Sequence, residues 1–595
     1  MCGFAGLLVR SREKVNLPAW KELRSKLHHR GPDADKFEEI DEHDWKGFLG
    51  HVRLRIIDLC NKSDQPFSVG NRTLVFNGEI YNYKLIKNEL INLGYNFTTE
   101  SDTEVVLNAY DCFGVEAFNK FDGMWSVVIH DKDEDKLIFS RDHFGEKPLY
   151  FKNIADNAFY FSSNISSLMS MIEQCDINHR YLDRFLKEGY SSTQESMVLG
   201  VEQIPPGQTR IYSLEDGTVS INNSAFSPFS RKNRRVKKSK FCINKFESLL
   251  VDSISNRLVS DVPISLLLSG GIDSTYIATL AKQELNVDLH CLTICDDIGG
   301  EEETDRAKKV ARKLGLAHDI IETKSSDIKT LYCESLKTMD EPISDPSYPM
   351  LVKLMRSVPE STKVVITGDG ADELFLSYSN YRNILNKSRY SINIPDRFSE
   401  AIAGMSTNKS GIFDKIVSRV LNRVLVSSDF QSLSNQLTIG GYHSRLADLC
   451  QIISKYDIDK DDILYLNAYL CDLSDYLLVK SDRASMAFSK EARSPYLNKE
   501  LQRYILSCSK ESINIGTKDH IISRLNSRLG SGFDFYKRGF FASGQNYLPN
   551  YNEIINDSPI SALSAIEDKV FERSSLHGYR ARVLSDWLKV NKLAL

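Results

Sequence analysis

Residues 264–275 constrain the fold more than any other stretch of the chain. Leu266-Leu267-Leu268 is an apolar run of β type, Ser269-Gly270-Gly271 is a turn, and a helical pattern begins at Thr275. The neighbouring sequence repeats the theme. Apolar runs at 264–268, 289–294, 318–321 and 364–367 alternate with helical patterns such as 305–314. That alternation predicts a parallel sheet with helices on both faces. Beyond 380 the pattern is mostly helical. A glycine turn between a strand and a helix presents backbone N–H groups to a phosphate. It is not a Walker A loop, because no GxxxxGK followed by Ser or Thr occurs, and no GxGxxG follows a strand.

The first 200 residues read differently. Short apolar strands at 47–52, 73–76, 124–129 and 136–139 alternate with Gly- and Asp-rich turns. Residues 102–113 read as a helix with Asp102 near its N-terminus. Many short strands with interspersed helices predict layered α+β packing. A chain of 595 residues is far longer than the roughly 250–300 at which one core stops growing, so two large units or more are expected. Between them, at 221–243, the character changes: seven of the ten residues 231–240 are basic. The stretch reads as a solvated linker or loop, with an anion-binding patch as the alternative.

Composition excludes several classes. Lys plus Arg number 75 against 80 Asp plus Glu, a net charge of −5, so nucleic-acid coating has no electrostatic support. No apolar run reaches the roughly 18–20 residues that span a bilayer, and Met1-Cys2-Gly3-Phe4 lacks the charged start of a signal peptide. The expected compartment is the cytoplasm, with no membrane or nucleic-acid partner. The 11 cysteines are odd in number, scattered and free of CxxC pairs, so most read as buried thiols.

Cys2 is the exception. Aminopeptidases remove Met before small residues, which would leave a thiol and a free α-amine on one residue. That amine has a reference pKa of about 7.7–8.0 and can act as general base for its own thiol, without a separate His. Cys2 is followed by His29-Arg30-Gly31-Pro32-Asp33, His51-Val52-Arg53-Leu54-Arg55-Ile56-Ile57-Asp58, Asn77-Gly78-Glu79-Ile80-Tyr81-Asn82, Ser101-Asp102 and Arg141-Asp142-His143-Phe144-Gly145-Glu146-Lys147.

With these blocks in order, residues 1–190 resemble the glutaminase domain of class II glutamine amidotransferases. The resemblance implies an N-terminal-nucleophile hydrolase sandwich, αββα, that cleaves the glutamine amide through a thioester on Cys2. It assigns the Asn77 side chain and the Gly78 N–H to the oxyanion hole. Arg53 takes the glutamine carboxylate, Glu79 and Asp102 stand near its ammonium, and Leu54, Arg55, Ile56 and Ile57 complete the pocket.

Ser269-Gly270-Gly271-Ile272-Asp273-Ser274 resembles the PP-loop of ATP pyrophosphatases. Further blocks extend the likeness, from Cys2 to about Phe540, to glutamine-hydrolysing asparagine synthetases. They are Asp340-Glu341-Pro342-Ile343-Ser344-Asp345-Pro346-Ser347, Thr367-Gly368-Asp369-Gly370-Ala371-Asp372-Glu373, Asp482-Arg483-Ala484-Ser485-Met486-Ala487 and Glu491-Ala492-Arg493-Ser494-Pro495. The resemblance implies ATP held by Leu267, Ile294, Thr367 and Gly368, with Ser269, Gly270, Gly271, Asp273 and Ser274 around its pyrophosphate. Asp273 and Asp372 are the implied Mg²⁺ ligands, Lys518 stabilises phosphoryl charge, and Asp369 takes the proton of the attacking ammonia. The organisation expected is a glutaminase domain at 2–200, a PP-loop synthetase domain at 244–545 and a C-terminal extension at 546–595.

The implied reaction joins L-glutamine, ATP and an acceptor acid, L-aspartate, giving L-asparagine, L-glutamate, AMP and pyrophosphate through an acyl-adenylate. Some positions depart from the family pattern. Leu376-Ser377 stands for Gly-Gly, Ser489-Lys490 for a Gly-Val pair, Asn498 for Asp, Ile522 for Arg and Ser163-Asn164-Ile165-Ser166 for Ser-Glu-x-Lys. Phe535 stands where an Arg is usual. These departures open a second reading, the same chemistry on another acid such as a sugar uronate. A third, from a different class, is an inactive amidotransferase-like regulator. A homodimer is left open.

Overall fold

The computed structural model describes residues 2–10, 20–42, 44–154, 157–172, 175–190, 195–223, 239–297, 301–378, 381–382, 465, 467–530, 533, 535 and 575–590. Most of the basic stretch, the segment 536–540 and most of the C-terminal extension lie outside the described residues.

Two six-stranded antiparallel sheets build the N-terminal part. One runs in the order Glu202–Gln203, Tyr150–Ile154, Ala158–Ser162, Gly3–Arg10, Trp45–Arg53, Ala34–Asp41. The other runs Val219–Asn223, Gln208–Ser213, Lys136–Arg141, Gly123–Asp131, Arg72–Ile80, Phe67–Val69. The period-two pattern explains the layering. Phe4 and Leu8 face the core between the sheets, while Ala5, Leu7 and Val9 face outward onto the helix Trp20–Leu27. Likewise Val75 and Val128 point inward, and Leu74, Phe76, Val127 and Ile129 pack against the helices Tyr83–Asn92 and Asp102–Phe113. The result is helix, sheet, sheet, helix. Gly6 is held small because a Cβ there would stand 2.3 Å from the Phe161 ring.

The C-terminal part holds a five-stranded parallel sheet in the order His318–Thr323, His290–Asp296, Ile264–Leu267, Val364–Ile366, Glu491–Arg493. The chain extends the sheet to one side of Ile264–Leu267, then crosses to add Val364–Ile366 on the other. The crevice at such a reversal is where open α/β sheets bind ligands. Helices follow, including Leu478–Met486, Lys499–Ser507 and Asp519–Leu529.

The two parts share two apolar clusters, of which one lies behind Asp340 and Glu341. There Leu182, Phe185 and Met197 of the first part pack with Leu336, Met339 and Val352 of the second part, and with Val583, Leu584, Trp587 and Leu588 of the helix Ser575–Val590. Trp587 Nε1 donates to Met339 O at 2.9 Å, directly before Asp340 and Glu341. Those carboxylates cross the interface: Asn164 Nδ2 donates to Asp340 at 2.6 Å, and Tyr150 Oη and Met197 N each donate to Glu341 at 2.7 Å. No described helix is long and apolar enough to cross a membrane.

Candidate active sites

Cys2 stands at the head of the strand Gly3–Arg10, buried, and both its backbone groups are engaged. Its N donates to Asn77 Oδ1 at 3.0 Å, and its carbonyl accepts from Arg30 Nε at 3.2 Å. After removal of Met1 that N is the free amine. Burial pushes the thiol up, and a hydrogen bond from the Leu54 backbone pulls the other way. Because an N–H can only donate, the Cys2 bond fixes the amide orientation of Asn77. Its Nδ2 is buried with no partner among the described residues. Gly78 has φ +155, and a Cβ would lie 2.0 Å from Met124 O, so only glycine lets the strand pass there.

The groups assigned to the amino-acid end of glutamine lie around this point. Asp102 opens its helix, with Ser101 Oγ as cap accepting from Thr103 N at 3.1 Å. Its Oδ2 accepts from Ile80 N at 3.0 Å, and burial pushes its carboxyl up to about 6. Glu79 is buried, with Oε2 unpartnered among the described residues; burial first, then the Asp102 charge, drive its carboxyl well upward. Arg53 is occupied by the segment after its strand. Nη1 donates to Cys60 O at 2.8 Å and Asp64 Oδ1 at 2.7 Å, and Nη2 to Ile57 O at 3.1 Å and Asp58 O at 2.6 Å. A ligand carboxylate would have to displace one of these acceptors or use Nε. Leu54, Ile56 and Ile57 are buried, and Arg55 pairs with Asp64 at 3.0 Å.

The second constellation lies at the ends of the adjacent strands Ile264–Leu267 and Val364–Ile366. Gly270 has φ +72, and a Cβ would meet Glu303 O at 2.4 Å. Ser269 N donates to Ser274 Oγ at 3.2 Å, and Gly271 N to Ser269 Oγ at 3.2 Å, closing the turn before the helix Ile272–Gln283. Gly368 brings the neighbouring turn against it, with Asp273 Cβ 3.3 Å from where a Cβ would be. Leu267 and Ile294 are half-buried at the sheet's end. The Thr367 N–H is spent on Arg493 O at 2.9 Å, so Thr367 has only its carbonyl and hydroxyl to offer a nucleotide.

Asp273 and Asp372 converge on Lys518 from 245 and 146 residues away. Lys518 Nζ donates to both Asp273 oxygens at 2.6 Å and to Asp372 Oδ1 at 2.7 Å. Two carboxylates that already gather around one cation are a donor set of hard oxygens, and they fit Mg²⁺. Asp369 Oδ2 accepts from Thr367 Oγ1 at 3.0 Å and Ser481 Oγ at 2.7 Å. It lines a cavity with Thr367, Ser481, Asp482, Ser494 and, from the first part, Glu146 and Lys147. Burial pushes the Glu146 carboxyl up to about 8. The Arg141-Asp142 block shapes that loop: Asp142 accepts from the N–H groups of Phe144, Glu146 and Lys147 at 2.9–3.0 Å.

Sequence reading gave no role to Arg30 or Asp482. Arg30, which holds the Cys2 carbonyl, donates through Nη1 and Nη2 to both Asp482 oxygens at 3.0 and 3.1 Å. Both side chains are buried; breaking such a pair costs about 3–5 kcal/mol. The departures from the family pattern have local employment. Ser489 Oγ donates to His29 O at 2.7 Å, Lys490 Nζ to Pro359 O at 2.8 Å and Thr362 O at 2.6 Å, and Asn498 Nδ2 to Asp122 at 3.1 Å. Among these, Ser377 touches an implied metal ligand, donating to Asp372, and the Ile522 N–H donates to Lys518 O at 2.9 Å.

Comparison with known proteins agrees with this division. A glutamine amidotransferase domain model matches residues 1–223, and an asparagine synthase model matches residues 245–522. The chain is 29% identical to asparagine synthetase 1, glutamine-hydrolyzing, of Bacillus subtilis, over 84% of this chain and 80% of that one. It is 30% identical to the asparagine synthetase of Zea mays over 62% of this chain and 58% of that one. It is also 24% identical to amidase chyE of Penicillium rubens, over 85% of this chain and 82% of that one. The chain belongs to the glutamine-hydrolysing asparagine synthetase family, whose members are ligases that form carbon–nitrogen bonds.

Proposed function

We propose that the protein amidates L-aspartate, taking nitrogen from L-glutamine and activation from ATP, and releases L-asparagine, L-glutamate, AMP and pyrophosphate. The observation that carries the reading is the Asn77 amide: oriented by Cys2 N, buried, and left with an NH₂ that has no partner among the described residues. In this account the Cys2 amine takes the thiol proton and sulfur attacks the glutamine carboxamide. Asn77 Nδ2 and the Gly78 N–H stabilise the oxyanion, and ammonia departs with the proton returned by the amine. Water then releases glutamate from the thioester. At the second site Ser269, Gly270, Gly271 and Ser274 cradle the pyrophosphate, and Lys518 neutralises charge as it leaves. Asp273 and Asp372 would hold Mg²⁺, which when bound offsets phosphate charge. Asp369 accepts the proton of ammonia as it attacks the acyl carbon. The cavity shared by Asp369 with Glu146 and Lys147 supports a transfer between the halves.

Product analysis tests this directly. Purified protein with glutamine, aspartate and ATP is expected to form asparagine; glutamate and pyrophosphate without asparagine would refute it. A second reading keeps the chemistry and changes the acceptor. It is favoured by the relative, matched over 82% of its length, that is named an amidase rather than an asparagine synthetase. A screen of carboxylic acids that follows pyrophosphate release separates the two, and strict aspartate dependence ends the second.

Asn77→Ala removes one oxyanion donor and is expected to lower glutamine-dependent turnover about 10²–10³-fold. Glutamate release measures it, and a loss below about tenfold would show that Nδ2 faces no developing charge. The Asp102 carboxyl at about 6 sets a pH limb. Below it Asp102 is protonated and loses the charge that meets glutamine's ammonium, so kcat/KM for glutamine is expected to fall as pH drops. In Asp102→Asn the limb from the Cys2 amine, at higher pH, should persist, while the lower one should move, because Glu79 then titrates without its neighbour's charge. An unmoved lower limb in that variant would remove Asp102 from the pocket.

A further inference from the structure

The glutamine pocket contains a charge that it does not supply itself. Arg493, on the edge strand Glu491–Arg493 of the parallel sheet, is wholly buried, and its Nη2 stands 3.5 Å from Glu79 Oε1. The rest of the guanidinium is fastened to its own half. Nη1 donates to Arg257 O at 2.9 Å and Val259 O at 2.7 Å, and Nε to Glu491 Oε1 at 2.5 Å. Tyr81, two residues after Glu79, is enclosed by the same groups, with Arg257 4.5 Å and Arg493 5.5 Å from its ring centre. A cation held this rigidly cannot follow Glu79; Glu79 must settle against it. The other Glu79 oxygen, Oε2, is then buried with no partner among the described residues; a buried carboxyl oxygen without a partner is costly unless a ligand provides one, and an ammonium ligand would also draw Glu79 into its charged form.

We infer that Arg493 is a positioning residue for glutamine: from the synthetase half its charge draws Oε1 of Glu79 across 3.5 Å, with no hydrogen bond to Nη2 among the described residues, and so turns Oε2 toward the glutamine ammonium. The pocket is complete only when the two halves are docked. This rests on the reading of Glu79 as a glutamine-binding group. The Asp482–Arg30–Cys2 carbonyl chain is a second thread of the same kind, reaching the nucleophile rather than the ligand. Arg493 also accepts the Thr367 N–H through its carbonyl, so one residue touches both constellations.

The test is steady-state kinetics on full-length Arg493→Met, Arg493→Lys, Glu79→Gln and the double variant Arg493→Met with Glu79→Gln, each with glutamine and with ammonia. The expected result is a fall of about tenfold or more in the glutamine-to-ammonia ratio of kcat/KM for Arg493→Met, within the range of coupling between contacting groups. The fall should come through a raised KM for glutamine rather than a lowered kcat. Arg493→Lys should recover part of it, and Arg493→Met should add nothing once Glu79 is Gln. An undiminished effect of Arg493→Met in the Glu79→Gln background would overturn the inference while leaving Glu79 in the pocket. An unchanged KM in Glu79→Gln would instead overturn the reading of Glu79 itself. Should Arg493→Met not fold, Arg493→Lys takes its place in the same cycle, and additivity there would equally overturn the inference.

Discussion

Cys2→Ala is expected to lose glutamine-dependent amidation by a factor on the order of 10⁶, the scale set by deleting a covalent nucleophile, while ammonia-dependent amidation continues. The substitution is mild for the fold. It removes one sulfur, whereas the bonds that place residue 2, its N to Asn77 and its carbonyl to Arg30, belong to the backbone. Alanine is also small enough for Met1 to be removed. No atom of residue 2 takes part in the cluster of Ser269, Asp273, Asp372 and Lys518, so that cluster keeps its chemistry when nitrogen comes from solution. Asparagine formation, followed in parallel with glutamine and with ammonium chloride, measures both arms. Equal loss of the two would mean that the sites are not separable, and the division of labour would fall.

Asp273→Asn should give the mirror image. Two carboxylates face one ammonium here, leaving a negative charge that suits a dication. Asparagine in place of Asp273 removes that charge and one acceptor from the pair that Lys518 binds at 2.6 Å. Pyrophosphate release and amidation are expected to fall about 10²–10³-fold, the usual cost of losing one electrostatic stabiliser, with either nitrogen source. Glutamine hydrolysis should survive, because Cys2, Asn77 and Asp102 are untouched. Pyrophosphate and glutamate, measured in one reaction mixture, distinguish the two activities. Unimpaired glutamine-dependent amidation in this variant would remove Asp273 from the nucleotide site.

What could be read from the sequence was what is local. The strand, glycine turn and helix around Ser269 carry their geometry in consecutive residues, and the turn forms there because Gly270 adopts φ +72 against a neighbouring helix backbone. The helix Asp102–Phe113 was legible at both ends, from its polar start and its spacing. Arg30 and Asp482 were visible as letters in motifs but not as a pair, because they are 452 residues apart and no periodicity links them. Arg493 likewise stood in a motif without a role; the contact with Glu79 exists only through the packing of two separately coded layers. The departures show the same limit. Ser489, Lys490 and Asn498 are local changes in the sequence, and their bonds to His29, Pro359, Thr362 and Asp122 are long-range. Trp587, in a helix without any motif, closes the core behind Met339. Nothing in its local sequence marks that contact.

The proposed function has nitrogen freed at Cys2 reach the acylated acid without passing through solution, by way of the cavity between Asp369 and Glu146. Glutamine labelled with ¹⁵N in its side-chain amide, supplied with aspartate, ATP and a large excess of unlabelled ammonium at a pH above both limbs, measures this most directly. Asparagine that carries the label in most molecules is the predicted result. Asparagine labelled only in proportion to the mixed ammonium pool would contradict the account.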